Sequence, residues 1–190
     1  MGRKVIGMVI ANIVILTILG LGYLFLYLIG WKVIALELTH YPVHVMKAYK
    51  IPGYGMEPAI KKGDRIFTVK YKEARIEPQR FDVVVFTVPN KPLSYIKRII
   101  GLPGETLEIK DGKVLINGKE LTSTLYYYNA GDFGKEGQKI QIPANYYYVM
   151  GDNSSNSSDS RYYGPISRDN IISKAIRLYW PIHRIKNIGK

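Results

Sequence analysis

Three short segments of this 190-residue chain gather the residue types that chemistry needs. The first, residues 51–60, reads IPGYGMEPAI. Two glycines flank Tyr54 and two prolines bracket the loop, so backbone N–H groups are exposed and a ligand can approach the main chain closely. The second, residues 95–104, reads YIKRIIGLPG, and Lys97 interrupts an otherwise apolar strand. Alternation puts Tyr95, Lys97 and Ile99 on one face and Ile96, Arg98 and Ile100 on the other. If Ile99 faces the core, Lys97 is partly buried. Burial disfavours the charged amine and makes a neutral base available, although a snorkelling or ion-paired lysine fits the same pattern. The third, residues 151–165, reads GDNSSNSSDSRYYGP and packs hydroxyls, carboxylates and an arginine into a tight turn. Taken alone, that segment is also what a solvated loop looks like.

Other chemistries are poorly supported. There are no cysteines, which excludes disulfides and thiolate metal sites. His40, His44 and His183 are too scattered for a zinc site, and no cofactor motif is present. Of the 27 basic residues, Arg3 and Lys4 precede residue 5, and the remaining 25 stand against 15 acidic ones, a balance of +10. Such a surface attracts anionic lipid or nucleic acid. No basic run interleaved with stacking aromatics resembles a nucleic-acid module, so lipid is the simpler partner.

The elements that must hold these segments are mostly strands. Residues 65–70, 82–88, 95–100, 106–110 and 113–116 have strand patterning. Asp111-Gly112 and Asn117-Gly118 are two-residue hairpin turns, which need positive φ at both central positions. Gly63-Asp64 and Pro103-Gly104 are further breaks. Residues 145–150 and 171–180 read as a last strand pair. Sixteen tyrosines include triplets at 126–128 and 146–148, where alternation would put rings both inside and outside. These rings serve strand packing or form an apolar rim facing lipid or peptide. The expected fold is mostly β: a coiled, partly closed antiparallel domain over residues 43–190.

Ahead of it, residues 5–31 contain no charge, and Asn12 and Thr17 are their only clearly polar side chains besides tyrosines. This run is long enough to span a bilayer and too long for a signal-peptide core. Tyr23, Tyr27 and Trp31 suit the interface at its C-terminal end, and Lys32 closes it. The expected layout is a cytoplasmic N-terminus at 1–4, a single transmembrane helix at 5–31, a juxtamembrane connector at 32–42 and the β-domain outside the cell membrane. Arg3 and Lys4 set that orientation.

In this order and spacing, FDVVVF at 81–86, YIKRIIGLPGE at 95–105 and GDNSSNSSDSRYYG at 151–164 resemble type I signal peptidase. The resemblance runs from the anchor to about residue 182. It implies a membrane-anchored serine protease that removes signal peptides on the outer side of the membrane, with a serine nucleophile and a buried lysine base. Lys97 falls on that lysine. Ser157 falls on the serine that hydrogen-bonds and orients it. Asp152, Asp159 and Arg161 fall on positions that hold the loop by ion pairs, with Arg98 as partner. Pro52, Tyr54 and Met56 are the implied substrate contacts.

The first segment departs from the family. The family reads approximately I-P-S-G-S-M-x-P-T, whereas residues 51–59 read I-P-G-Y-G-M-E-P-A. Gly55 occupies the nucleophile position, and Gly53 occupies the serine whose hydroxyl helps stabilise the oxyanion. Removing such a nucleophile costs on the order of a million-fold in turnover, and an oxyanion donor roughly a hundred- to a thousand-fold. Tyr54 holds its hydroxyl too far from its own Cα to substitute, and Ser94 lies on the opposite strand face from Lys97.

The expected protein is therefore a catalytically impaired signal-peptidase-like chain that still receives signal peptides or pre-proteins. An extended peptide would add to an exposed sheet edge near residues 43–52. The alternatives are a working peptidase using water or a serine from a partner peptidase chain, and a structural docking subunit. Only about 20 residues separate Trp31 from Ile51, which predicts that the altered loop lies near the membrane surface.

Overall fold

The computed structural model describes residues 17, 20–22, 24, 41–122, 125 and 127–188. The expected transmembrane run at 5–31 and the connector at 32–42 lie almost wholly outside these residues, as does Tyr126. The described positions 17, 20–22 and 24 are helical. Among the described residues no helix is long and apolar enough to cross a membrane. The chain divides into two compact units, Met1–Val43 and His44–Lys190, and the second contains the three segments of interest.

Among its described residues that unit has twelve strands. They are β1 (Met46–Lys50), β2 (Arg65–Lys70), β3 (Val83–Thr87), β4 (Ser94–Gly101), β5 (Thr106–Lys110), β6 (Lys113–Ile116), β7 (Lys119–Glu120), β8 (Lys139–Gln141), β9 (Tyr146–Met150), β10 (Ile166–Ser167), β11 (Ile171–Trp180) and β12 (Lys186–Asn187). Two one-turn helices, α1 (Tyr71–Ala74) and α2 (Ser160–Tyr163), punctuate them. The larger sheet runs β1-β2-β11-β3-β4-β9-β10, with β12 added to β11. A second sheet runs β7-β6-β5-β8. Every pairing is antiparallel.

The β-rich fold class holds, with two corrections. The expected partial closure is not found: the large sheet is an open path whose ends, β1 and two-residue β10, do not pair with each other. The expected pairing of the last two long strands also fails. β9 pairs β4 and β10, while β11 lies between β2 and β3. About 20 residues of loop separate the two strands, too many for a tight hairpin, and this lets β11 take a central place.

Local chemistry explains the strands that position the site. β3 reads VVVFT and is buried at its first four residues, as a strand covered on both faces must be. Asp111 and Gly112 have φ of 51° and 73°, and Asn117 and Gly118 have 51° and 78°, the geometry of the two expected hairpin turns.

The core forms three apolar clusters. In β9, Tyr147 and Val149 join the cluster of Val84, Phe86 and Ile99, while Tyr148 and Met150 join that of Ile100, Leu107 and Ile142. Both faces of β9 are therefore covered. Tyr147 and Tyr148 are both buried, where alternation alone suggested one ring in and one out; Tyr146 remains exposed.

Candidate active site

Lys97 lies in β4 opposite Val84 of β3. Its neighbour on the same face, Ile99, is fully buried, and Lys97 itself is only 7% exposed. Its Nζ donates to the carbonyl oxygen of Ile96 at 3.0 Å. Among the described residues no carboxylate forms an ion pair with it. Burial pulls its pKa below the ordinary lysine value. Asp159 and Asp152 pull the other way at longer range, and Arg161 adds to the depression.

Gly55 faces this amine. A Cβ at residue 55 would stand 3.1 Å from Lys97 Nζ, 3.3 Å from the carbonyl oxygen of Asn156 and 3.6 Å from Ser157 Oγ. The backbone there is not in the left-handed region, so an L side chain would fit if the flexible lysine end and the Asn156 carbonyl each gave by a few tenths of an ångström. The positions singled out in three separate segments thus meet around one Cβ-sized space. Gly53 does not join them, because a Cβ there would meet nothing within 4 Å.

The hydrogen bond expected between Ser157 and Lys97 is not made. Ser157 Oγ is buried without a partner, because the amine turns to the Ile96 carbonyl instead. Pro52 and Tyr54 are exposed on the loop, and Lys62 sits 4.9 Å above the Tyr54 ring. Met56 is corrected. It is 1% exposed and packs with Ile51, Ile60, Ile66, Val83, Ala175 and Leu178, so it anchors the loop in the core and offers no surface to a substrate.

The third segment is held by two ionic forks. Arg98 donates from Nε and one terminal nitrogen to the two oxygens of Asp152, at 2.8 and 2.6 Å. Arg161 grips Asp159 in the same way at 2.8 Å twice, and neither side chain has any exposure. Arg161 also donates to the Tyr128 carbonyl and to the hydroxyl and carbonyl of Ser154. A bidentate, fully bonded arrangement is the form in which buried charge is tolerated.

Two positions escaped sequence reasoning. Asn153 donates its backbone N–H to the Gly55 carbonyl at 3.1 Å and its side-chain amide to the Tyr54 carbonyl at 3.2 Å. It clamps the two loops together. The available signal was an asparagine beside the ion-pairing Asp152, which offers donors where Asp would not. Gly151 is the other: a Cβ there would overlap Ser157 Oγ and the Gly55 carbonyl. Glycine is required because two backbones approach closely.

What this arrangement offers is a desolvated amine, an unpartnered hydroxyl and a glycine-lined opening. A relative named signal peptidase I from Leptolyngbya laminosa is 36% identical over 153 residues, covering 76% of this chain and 74% of its own. Signal peptidase I T of Bacillus subtilis (strain 168) is 32% identical over 165 residues, covering 80% and 82%. A crystal structure of a signal peptidase I from Enterococcus faecalis V583 aligns at 32% identity over 50% of this chain and 94% of that one, with a TM-score of 0.43. Residues 24–180 match the family described as signal peptidase, peptidase S26, and with those two relatives this shows that the chain belongs to that family.

Proposed function

We propose that this chain is a membrane-anchored signal-peptidase-like protein whose β-domain receives the cleavage region of exported pre-proteins outside the cell membrane and cuts it poorly or not at all. Lys97 is the base, Gly55 stands where the nucleophilic serine belongs, and Gly53 stands where a second oxyanion donor belongs. Ser157 borders the same space as the amine, and the forks of Arg98 with Asp152 and Arg161 with Asp159 hold the supporting loop. The single observation that carries this reading is the 3.1 Å between Lys97 Nζ and the Cβ that Gly55 lacks. A serine hydroxyl on that Cβ would sit within reach of the base, and a glycine leaves nothing to deprotonate.

Recognition follows from the sheet edge. β1 is an end strand, largely exposed, and runs directly into the loop at 51–60. An extended peptide that adds to it would be led toward Gly55, with Pro52 and Tyr54 alongside. The apolar run at 5–31 is the anchor, and the basic surplus favours anionic headgroups.

The test mixes the full chain with a pre-protein carrying a small-residue cleavage site, beside Gly55→Ser. The expected result is binding without appreciable cleavage by the unmodified chain and cleavage by Gly55→Ser. Cleavage by the unmodified chain that disappears in Lys97→Ala would overturn the impaired reading, and failure of both chains to bind would overturn recognition.

A further inference from the structure

With glycine at 55, the amine of Lys97 has no neighbouring hydroxyl to deprotonate at that position, yet it remains buried and free of any ion pair among the described residues. It borders a space bounded by the Gly55 backbone, the Asn156 carbonyl oxygen and Ser157 Oγ. Ser157 is 9% exposed, and its hydroxyl has no partner. A buried hydroxyl left unsatisfied costs on the order of 1–3 kcal/mol, so a group that bonds to it is favoured there. Gly55 itself is partly exposed, which gives the space a route to solvent.

We propose that Lys97 is a carbonyl-capture site: its amine adds to small uncharged aldehydes that enter the space beside Gly55, and Ser157 Oγ hydrogen-bonds the oxygen of the adduct. The amine lone pair forms a C–N bond to the aldehyde carbon while the carbonyl π pair moves onto oxygen. A proton passes from nitrogen to that oxygen to give a carbinolamine. The hydroxyl then takes up the proton that remains on nitrogen and leaves as water while the nitrogen lone pair forms the C=N bond, so that aldehyde plus amine gives imine plus water.

The geometry suits this step for two reasons. A residue-55 Cβ would stand 3.1 Å from Nζ, so its absence leaves room for one carbon atom to approach the amine. The surrounding polar atoms are hydroxyl and carbonyl oxygens, which accept the developing N–H and O–H groups without forming an ion pair that would hold the amine charged. The depressed proton affinity of Lys97 supports the same conclusion by raising its neutral fraction. Exposed lysines such as Lys135 have the opposite setting: that side chain is 65% exposed and lies 3.5 Å from Asp132.

The inference concerns the amine alone and does not require that the chain bind signal peptides. Its test treats the full chain in detergent with propionaldehyde and cyanoborohydride at neutral pH, then maps the alkylated lysines by mass spectrometry. The hydride from cyanoborohydride reduces each imine to a stable amine. Lys97 is expected to label faster than Lys135, because burial raises its neutral fraction and the missing side chain at residue 55 leaves the amine open to the aldehyde. The preference should vanish when the chain is denatured first. Gly55→Ala, which fills the space, should slow labelling at Lys97 and leave Lys135 unchanged. Equal or slower labelling of Lys97 in the folded, unmodified chain would overturn the proposal, as would an unchanged rate at Lys97 in a folded Gly55→Ala.

Discussion

Residues 53–55 carry a single side chain, that of the exposed Tyr54, whereas residues 152–161 carry six buried polar ones: Asp152, Ser154, Ser157, Asp159, Ser160 and Arg161. Both stretches border Lys97. The second is self-supporting, because five of those six side chains find partners in the forks or in nearby backbone. The first is held from outside, by Met56 plugging the core beneath it and by Asn153 gripping its carbonyls. The contrast separates two requirements that a hydrolytic site usually meets together. One is a rigid frame that fixes the base, and the other is a reacting atom for the base to act upon. On the function proposed above, the frame is in place and the reacting atom is missing.

The largest expected effect supplies that atom. Gly55→Ser should raise the rate of pre-protein cleavage by several orders of magnitude, up to about a million-fold. Adding Gly53→Ser should contribute a further gain of roughly a hundred-fold or more. The backbone permits both changes, since neither glycine has positive φ and the space beside Gly53 is open. Turnover measured on one substrate for the three chains checks the order. Equal rates in all three would mean that the frame does not hold the loop where the base can use it.

A second effect asks whether the frame is as rigid as its bonding suggests. Arg161→Leu strands Asp159 with no exposure and removes the bonds that Arg161 makes to the Tyr128 carbonyl and to Ser154, so it should cost about 3–5 kcal/mol in denaturant unfolding. Tyr54→Ala removes only an exposed ring and its contact with Lys62, and should cost no more than about 1 kcal/mol. Similar values for the two substitutions would dissolve the distinction between a built loop and a bare one.

The unequal build also decides what could be read from sequence. Strand runs and hairpin turns were legible because they depend on near neighbours: alternation, and the Asp-Gly and Asn-Gly pairs. The place of β11 between β2 and β3 was not, since strand order depends on pairings between residues far apart in the chain. Lys97 was legible by its charge on the strand face that it shares with Tyr95 and Ile99. The clamp by Asn153 was not, because it joins residues 99 positions apart through main-chain carbonyls that no side-chain pattern reveals. Met56 misled for a related reason. A loop residue beside exposed glycines looks accessible, and only packing against Ile66 and Leu178 shows that it points inward.

The smallest expected effect tests the amine that the two stretches share. Its pKa in the folded chain lies below the value of about 10.4 that it takes when unfolded. Between those two values the unfolded chain binds a proton that the folded chain does not, so this group makes stability rise with pH across that window. Below the folded pKa the penalty for a buried charge is present in full, and above the unfolded pKa it is gone. Lys97→Met removes the penalty. The variant should therefore gain most over the unmodified chain at low pH and lose that advantage as pH climbs toward about 10. Altered packing shifts the difference by a constant amount, so the slope of the difference with pH is the quantity to measure, by thermal unfolding between about pH 6 and pH 9. A flat difference would mean that the amine stays charged throughout, and the frame around Gly55 would then lack the neutral base that a serine there would need.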